Sequence, residues 1–232
     1  MSRAKPKVWY ASAARNVNAQ LPIRAVEYQD YLDKKLPEGR AAAVRENVND
    51  RLDAFKSGRL LHPVTFLSEW ALGKDERSPK APSPMMSFGG TPMVTAEACA
   101  LLETHDIGPV RFHPIRVLDA KREAPLWPDC PEVHALNVGT VKRGLDVAAT
   151  NNAEWPIVAP RKGHTPTGLT HYSVRGREDD NLAFSPVVLD GPDLWVDDQL
   201  EGEIFLSDRL AKALTKAGLS RGWGLRRCRI VG

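Results

Sequence analysis

Two stretches of this 232-residue chain carry one pattern at a constant offset of 112, and that repeat restricts the fold more than any other feature. Val94 falls on Leu206, Thr95 on Ser207, Ala98 on Leu210, Leu102 on Leu214 and Ile107 on Leu219. Each copy reads as a short apolar strand, a hydroxyl residue able to accept an orphan N–H at a helix start, and an amphipathic helix of about eleven residues. A hydrophobe and a second strand follow. Positions four apart share a helix face, so Ala98 with Leu102, and Leu210 with Leu214, bury one stripe. Gly218 can take the left-handed conformation that ends a helix, letting Leu219 fold back; Asp106 holds the equivalent place in the first copy. Two copies are too few for a solenoid. The expectation is an α+β fold: a mixed sheet with packed helices, containing two related strand-helix-strand corners at 92–118 and 203–231.

The rest of the chain divides by composition. Residues 1–72 predict an aromatic strand at Lys7–Ala11, an ambiguous segment at Pro22–Leu36, a helix over Arg40–Lys56 and an apolar segment over Pro63–Leu72. The helix carries Val44, Val48, Leu52 and Phe55 on one stripe, with Gly58 as its stop. Residues 73–91 hold four glycines or prolines by 84 and Gly89-Gly90 beyond, which marks a linker or loop. Residues 92–232 form the repeat-bearing domain. Strands are expected over Pro109–Leu118, where Pro114 argues for an edge or bulge, and over Val133–Val138, Phe184–Leu189 and Leu194–Val196. Val141–Ala149 reads as strand or helix, and Trp155–Val158 as a short apolar piece.

Composition narrows the function classes. The 42% hydrophobic and 26% charged content fits a globular chain, and there is no run of 18 apolar residues to span a membrane. The basic start, Met1 to Lys7, lacks the apolar core of a signal peptide. Cys99, Cys130 and Cys228 are odd in number and far apart, which suits reduced thiols and a cytoplasmic setting. A formal charge of +3 is mild for a nucleic-acid binder, which concentrates its basic residues in a stripe. The densest basic piece is Arg221, Arg226, Arg227 and Arg229, and it follows an acidic segment running from Asp190 to Glu203.

Chemical motifs are sparse. There is no phosphate loop, dinucleotide fingerprint, HExxH or GxSxG. Cys130 and His134 make one C-x3-H spacing, short of the paired spacings of a zinc site. No cofactor is implied. The 164–177 loop, with His164, His171, Tyr172, Arg175 and Arg177, is the most enzyme-like patch, with Asp179 close behind; it supports an alternative reading as an uncharacterised enzyme. Of the six tryptophans, Trp127 in a loop and Trp195 inside the acidic segment are the better candidates for binding anchors.

The run Phe205-Leu206-Ser207-Asp208-Arg209-Leu210-Ala211-Lys212-Ala213-Leu214, followed by Ala217-Gly218-Leu219 and a last strand, resembles the C-terminal signature of the Imm11 family of immunity proteins from bacterial polymorphic toxin systems. Met93–Leu102 leading to Phe112-His113-Pro114-Ile115 is similar to that family's middle segment. So is His134-Ala135-Leu136-Asn137-Val138 followed by Leu145-Asp146, although an aromatic is common where His134-Ala135 stands. The likeness spans residues 90 to 232. It implies a cytoplasmic, non-enzymatic protein that neutralises a cognate toxin by stoichiometric binding, and it carries over no catalytic residue. Toxins acting on nucleic acid are often basic, so Asp193, Asp197, Asp198 and Glu201 with Trp195, and Trp127 apart from them, are the expected partner-binding residues. An exposed strand edge also leaves room for a homodimer.

Overall fold

A computed structural model describes residues 7–12, 22–63, 66–74, 76, 80–130, 132–151, 153–154, 173–174, 178–200 and 203–232. The strands are β1 (Val8–Ala11), β2 (Ile23–Ala25), β3 (Glu69–Leu72), β4 (Met85–Phe88), β5 (Thr91–Thr95), β6 (Val110–Leu118), β7 (Val133–Val138), β8 (Ala153–Glu154), β9 (Ser173–Val174), β10 (Ala183–Phe184), β11 (Leu194–Val196), β12 (Ile204–Ser207) and β13 (Leu225–Ile230). The helices are α1 (Val26–Leu32), α2 (Glu38–Ser57), α3 (Ala96–Glu103) and α4 (Asp208–Lys216). The fold is α+β, with a six-stranded sheet ordered β2-β3-β6-β7-β5-β4, a five-stranded sheet ordered β10-β13-β1-β12-β11, and the β8-β9 pair.

The repeat is a duplication of topology, and it reaches beyond the two corners. In the first sheet β5 and β6 are joined through α3 and lie parallel with β7 antiparallel between them. In the second, β12 and β13 are joined through α4 and lie parallel with β1 antiparallel between them. β4 pairs antiparallel outside β5 as β11 does outside β12, and β3 pairs parallel outside β6 as β10 does outside β13. The N-terminal strand therefore fills the place that β7 fills in the first half. Register makes the match residue by residue. Thr95 faces Val133 and Ser207 faces Val8; Val94 faces His134 and Leu206 faces Trp9. The two middle strands share one burial sequence, buried, half-buried, buried, buried, from Val133 and from Val8. The position that His134 holds in the first half thus carries Trp9 in the other.

The helix starts form as the capping logic requires. Thr95 Oγ1 accepts from Ala98 N at 3.4 Å, and Ser207 Oγ accepts from Leu210 N at 3.2 Å. At the end of α4, Gly218 adopts φ 75° and Leu219 N donates to Leu214 O at 2.8 Å. In the first copy the left-handed residue is Gly108, two positions beyond Asp106.

The halves meet through equivalent residues. Val94, Ala98, Leu102 and Ile107 share one cluster with Leu206, Leu210, Leu214 and Leu219. Each half's helix-to-strand loop also clasps the other half. Asp106 O, after α3, accepts from Asp193 N ahead of β11. Gly222, after α4, lies so close to Met85 O at the start of β4 that a Cβ there would overlap the backbone. The outer faces of the sheets carry separate clusters. Trp70, Met86, Met93, Ile115 and Ala135 lie under α2, while Phe184, Trp195, Phe205, Tyr10 and Cys228 form the counterpart. Under α2 the buried Arg51 guanidinium rests 4.8 Å from the Trp70 ring, and burial pushes its pKa down to about 10.

Several expectations change. Residues 73–91 are not all linker, because β4 and its turn occupy 85–90 and Met85, Met86 and Phe88 are core. The segment 1–72 is not set apart, because β1 completes the second sheet and β2 and β3 extend the first. Pro114 sits within β6, two residues before β3 joins at Arg116, so that side of the strand is an edge only locally. Phe184–Leu189 divides into β10 and a 3-10 turn at Pro186–Leu189, Pro22–Leu36 into β2 and α1, and Val141–Ala149 is mostly bridges and turns. Trp155–Val158 lies outside the described residues.

Ser207 caps α4 and also donates to Asp193 Oδ1 at 2.6 Å, whereas the Thr95 cap bond is long. Ser207→Ala is expected to cost about 1–2 kcal/mol in urea unfolding, and Thr95→Ala less. Equal losses would contradict this account of the two caps.

Candidate functional site: a groove between α4 and the central strands

Within the acidic segment Asp190 is exposed, but most of the described carboxylates face inward. Asp193, Asp197 and Asp198 are buried, so they do not form the exposed acidic patch expected of them. Asp193 accepts from Ser207 Oγ and from Arg209 Nε and Nη2 at 3.1 and 2.6 Å. Asp198 takes Arg143 Nε and Nη2 on both of its oxygens. Asp197 accepts from the backbone N–H groups of Gly144, Leu145 and Gln199, while its burial pushes the carboxyl above its usual range. The two proposed anchors are core as well. Trp195 is fully buried, stacked on Phe205 with centroids 6.0 Å apart and capped by Lys142 Nζ at 4.0 Å. Trp127 is 4% exposed and packs in the cluster under α2. Glu201 lies outside the described residues, as do His164, His171, Tyr172, Arg175 and Arg177. Asp179 accepts from Arg227 N at 2.9 Å.

The cysteines are unbridged. Burial raises the Cys99 thiol to about 12 and pushes those of Cys130 and Cys228 up as well, which leaves little reactive thiolate. Among the described residues no group of three His, Cys, Asp or Glu side chains is placed to hold a metal ion. Also among them, no helix is long and apolar enough to cross a membrane.

What the structure does present is a groove of about 700 Å³ along the outer side of α4. Ala211, Lys212, Thr215 and Lys216 line one wall, the Ser220–Gly224 turn another, and Trp9, Leu225 and Arg226 the rest. Its features follow from local structure. Alternation along β1 sends Val8 and Tyr10 to the outer cluster and turns Trp9 toward α4. The helix buries Leu210 and Leu214 and so exposes Lys212, Thr215 and Lys216. Asp208, in the first turn of α4, accepts from Trp9 Nε1 at 3.0 Å and pairs with Lys212 at 2.5 Å. One carboxylate thus fixes both the indole and one ammonium, and Trp9 and Lys212 help hold it below its usual pKa. Lys216 makes no ion pair among the described residues. Arg227, opposite Trp9 in register, is held side-on by Asp180, which leaves the far edge of its guanidinium open.

The first half provides an internal control. Its core positions match, but Lys212 corresponds to Ala100, Lys216 to Thr104, Thr215 to Glu103 and Asp208 to Ala96. His134, in the place of Trp9, has a buried Nδ1 with no hydrogen-bond partner, in the half that lacks an aspartate to take it. A second depression of about 430 Å³ at the start of α3 is lined by Glu97, Asp129, Cys130 and Glu132. It is acidic where the α4 groove is cationic. One scaffold therefore carries two chemistries, and the indole with its flanking lysines belongs to the second half alone. The offset of 112 held this signal at Lys212 and Lys216; the role of Trp9 had no counterpart in linear sequence.

No protein-family model matches the chain, and no curated protein matches it significantly.

Asp197 is expected to be structural. Asp197→Ala strands three backbone donors and should lower stability by on the order of 3 kcal/mol in urea unfolding. An unchanged unfolding midpoint would mean that the carboxylate is free for another role.

Proposed function

We propose that this chain is an immunity-type binding protein that neutralises a cognate bacterial toxin by one-to-one association in the cytoplasm. The observation that carries the reading is the divergence of the duplicated halves. Positions that build the scaffold are matched, while the outer positions around α4 hold an oriented indole and exposed cations that the scaffold does not need. An indole on a rigid strand, fixed by a hydrogen bond, makes a good binding anchor because little conformational freedom is lost when it is covered, and the cations beside it add charge complementarity. The resemblance of residues 90–232 to immunity proteins supplies the biological class. Asp193, Asp197 and Asp198, first expected to meet the toxin, are turned into the fold, so the reading now rests on the opposite charge.

The test is affinity capture from the source bacterium with the tagged full chain, followed by co-expression with what is captured. The expected result is one stoichiometric protein that arrests growth when expressed alone and is harmless beside this chain. A chain that captures no stoichiometric protein, or one that leaves its partner toxic, contradicts the proposal.

A further inference from the structure

The α4 groove has the chemistry to specify what its occupant looks like. Its lining includes Lys212, Lys216 and Arg226, all three exposed. Asp208, beside it, is already engaged by Trp9 and Lys212. The apolar floor is Trp9 and Leu225, half-buried and held in place from beneath by the shared core. Thr215 and Ser220 also line it, the Thr215 hydroxyl donating to Ala211 O at 2.9 Å. At about 700 Å³ the groove takes a few side chains of an extended segment, not a folded domain.

Resting on the binding reading above, we infer that this groove docks an acidic segment of the partner protein. An apolar or aromatic side chain of that segment lies on Trp9, and flanking carboxylates lie on Lys212, Lys216 and Arg226. Charge complementarity selects the acidic occupant, since a basic segment would set its cations against Lys212, Lys216 and Arg226. The form of the cationic groups favours a protein occupant over a nucleic acid. Two lysines and one arginine around one indole give a short anionic contact. A nucleic-acid strand needs a track of phosphate contacts and further rings on which successive bases stack. A membrane surface would need a broad basic face, whereas these cations line the walls of a recess.

The experiment monitors the indole N–H signal of Trp9 in two-dimensional nitrogen–proton spectra of the full chain, with the signal assigned from Trp9→Phe. The probes are three: a blocked Glu-Glu-Phe-Glu-Glu peptide, its Lys-Lys-Phe-Lys-Lys counterpart, and a thymidine pentanucleotide. They are used at concentrations suited to millimolar affinity. The acidic peptide is expected to shift the Trp9 signal saturably, with the midpoint moving to higher peptide concentration as salt is raised. In Lys212→Glu/Lys216→Glu the shift should fall at least about tenfold in affinity, roughly 1.4 kcal/mol. In the matched control Ala100→Glu/Thr104→Glu, on the first half, it should persist. No shift with the acidic peptide, an equal shift with the basic one, or a larger one with the pentanucleotide overturns the inference. If the peptide binds but no protein partner is captured, the groove stands and the immunity reading falls. If a partner is captured equally by the Lys212→Glu/Lys216→Glu chain, the immunity reading stands and the groove falls.

Discussion

The structure depends on β1. Without it β12 and β13 would lie apart as two parallel strands joined only by α4, with an unpaired slot where the first half has β7. Four residues close that slot by pairing on both sides, from Val8 with Ser207 and Cys228 to Ala11 with Ile204 and Leu225. They also tie together the chain's two ends, so the contact is as non-local as the sequence allows. The same strand sends Tyr10 into the outer cluster and Ala11 into the shared core, and it supplies the indole that floors the groove. Scaffold and site are thus built by one segment. The site's orientation is set by strand alternation and not by a mobile loop.

Burial of the Asp193, Asp197 and Asp198 carboxylates follows from the same duplication. β11 lies between the clasp at Asp106 and the pairing of Thr140–Lys142 with Val196, so both of its ends are enclosed. Carboxylates there keep their charge only if donors surround them, and the fold supplies Ser207, Arg209, Arg143 and three backbone N–H groups. Arg143 and Arg209 remain largely exposed while their partners are covered. An acidic stretch in the sequence therefore becomes arginines at the surface. Composition along a segment does not state the sign of the face it builds.

Much of the architecture was legible. Thr95 and Ser207 announced their helices, the four-residue spacing of Leu210 and Leu214 marked the buried stripe, and Gly218 marked a stop. The α+β class followed from those alone. What could not be read was the third dimension of the repeat. Local pattern has no term for a strand borrowed from the opposite terminus, so Trp9 looked like one aromatic among several and 73–91 looked like a linker with β4 hidden in it. Trp195 and Trp127 are core and not exposed anchors, because neither an acidic segment nor a loop position in the sequence implies exposure. Trp195 is covered by Phe205 and Lys142, residues distant in sequence. The groove was half legible: the exchange of Ala100 and Thr104 for Lys212 and Lys216 was on view in the aligned copies. The indole between them required knowing which strand takes the middle place.

Hydrogen exchange of the backbone amides of Val8–Ala11 in the full chain tests this dependence most directly. Strand termini normally fray and exchange fast, whereas a strand paired on both sides and buried opens only with the fold. The expected result is protection of those amides that equals protection of the equivalent Val133–Leu136 amides in β7 and disappears with them as urea is raised. Exchange of Val8–Ala11 at the rate of a free terminus, with β7 still protected, would contradict the duplicated architecture and with it the placement of Trp9 in the groove.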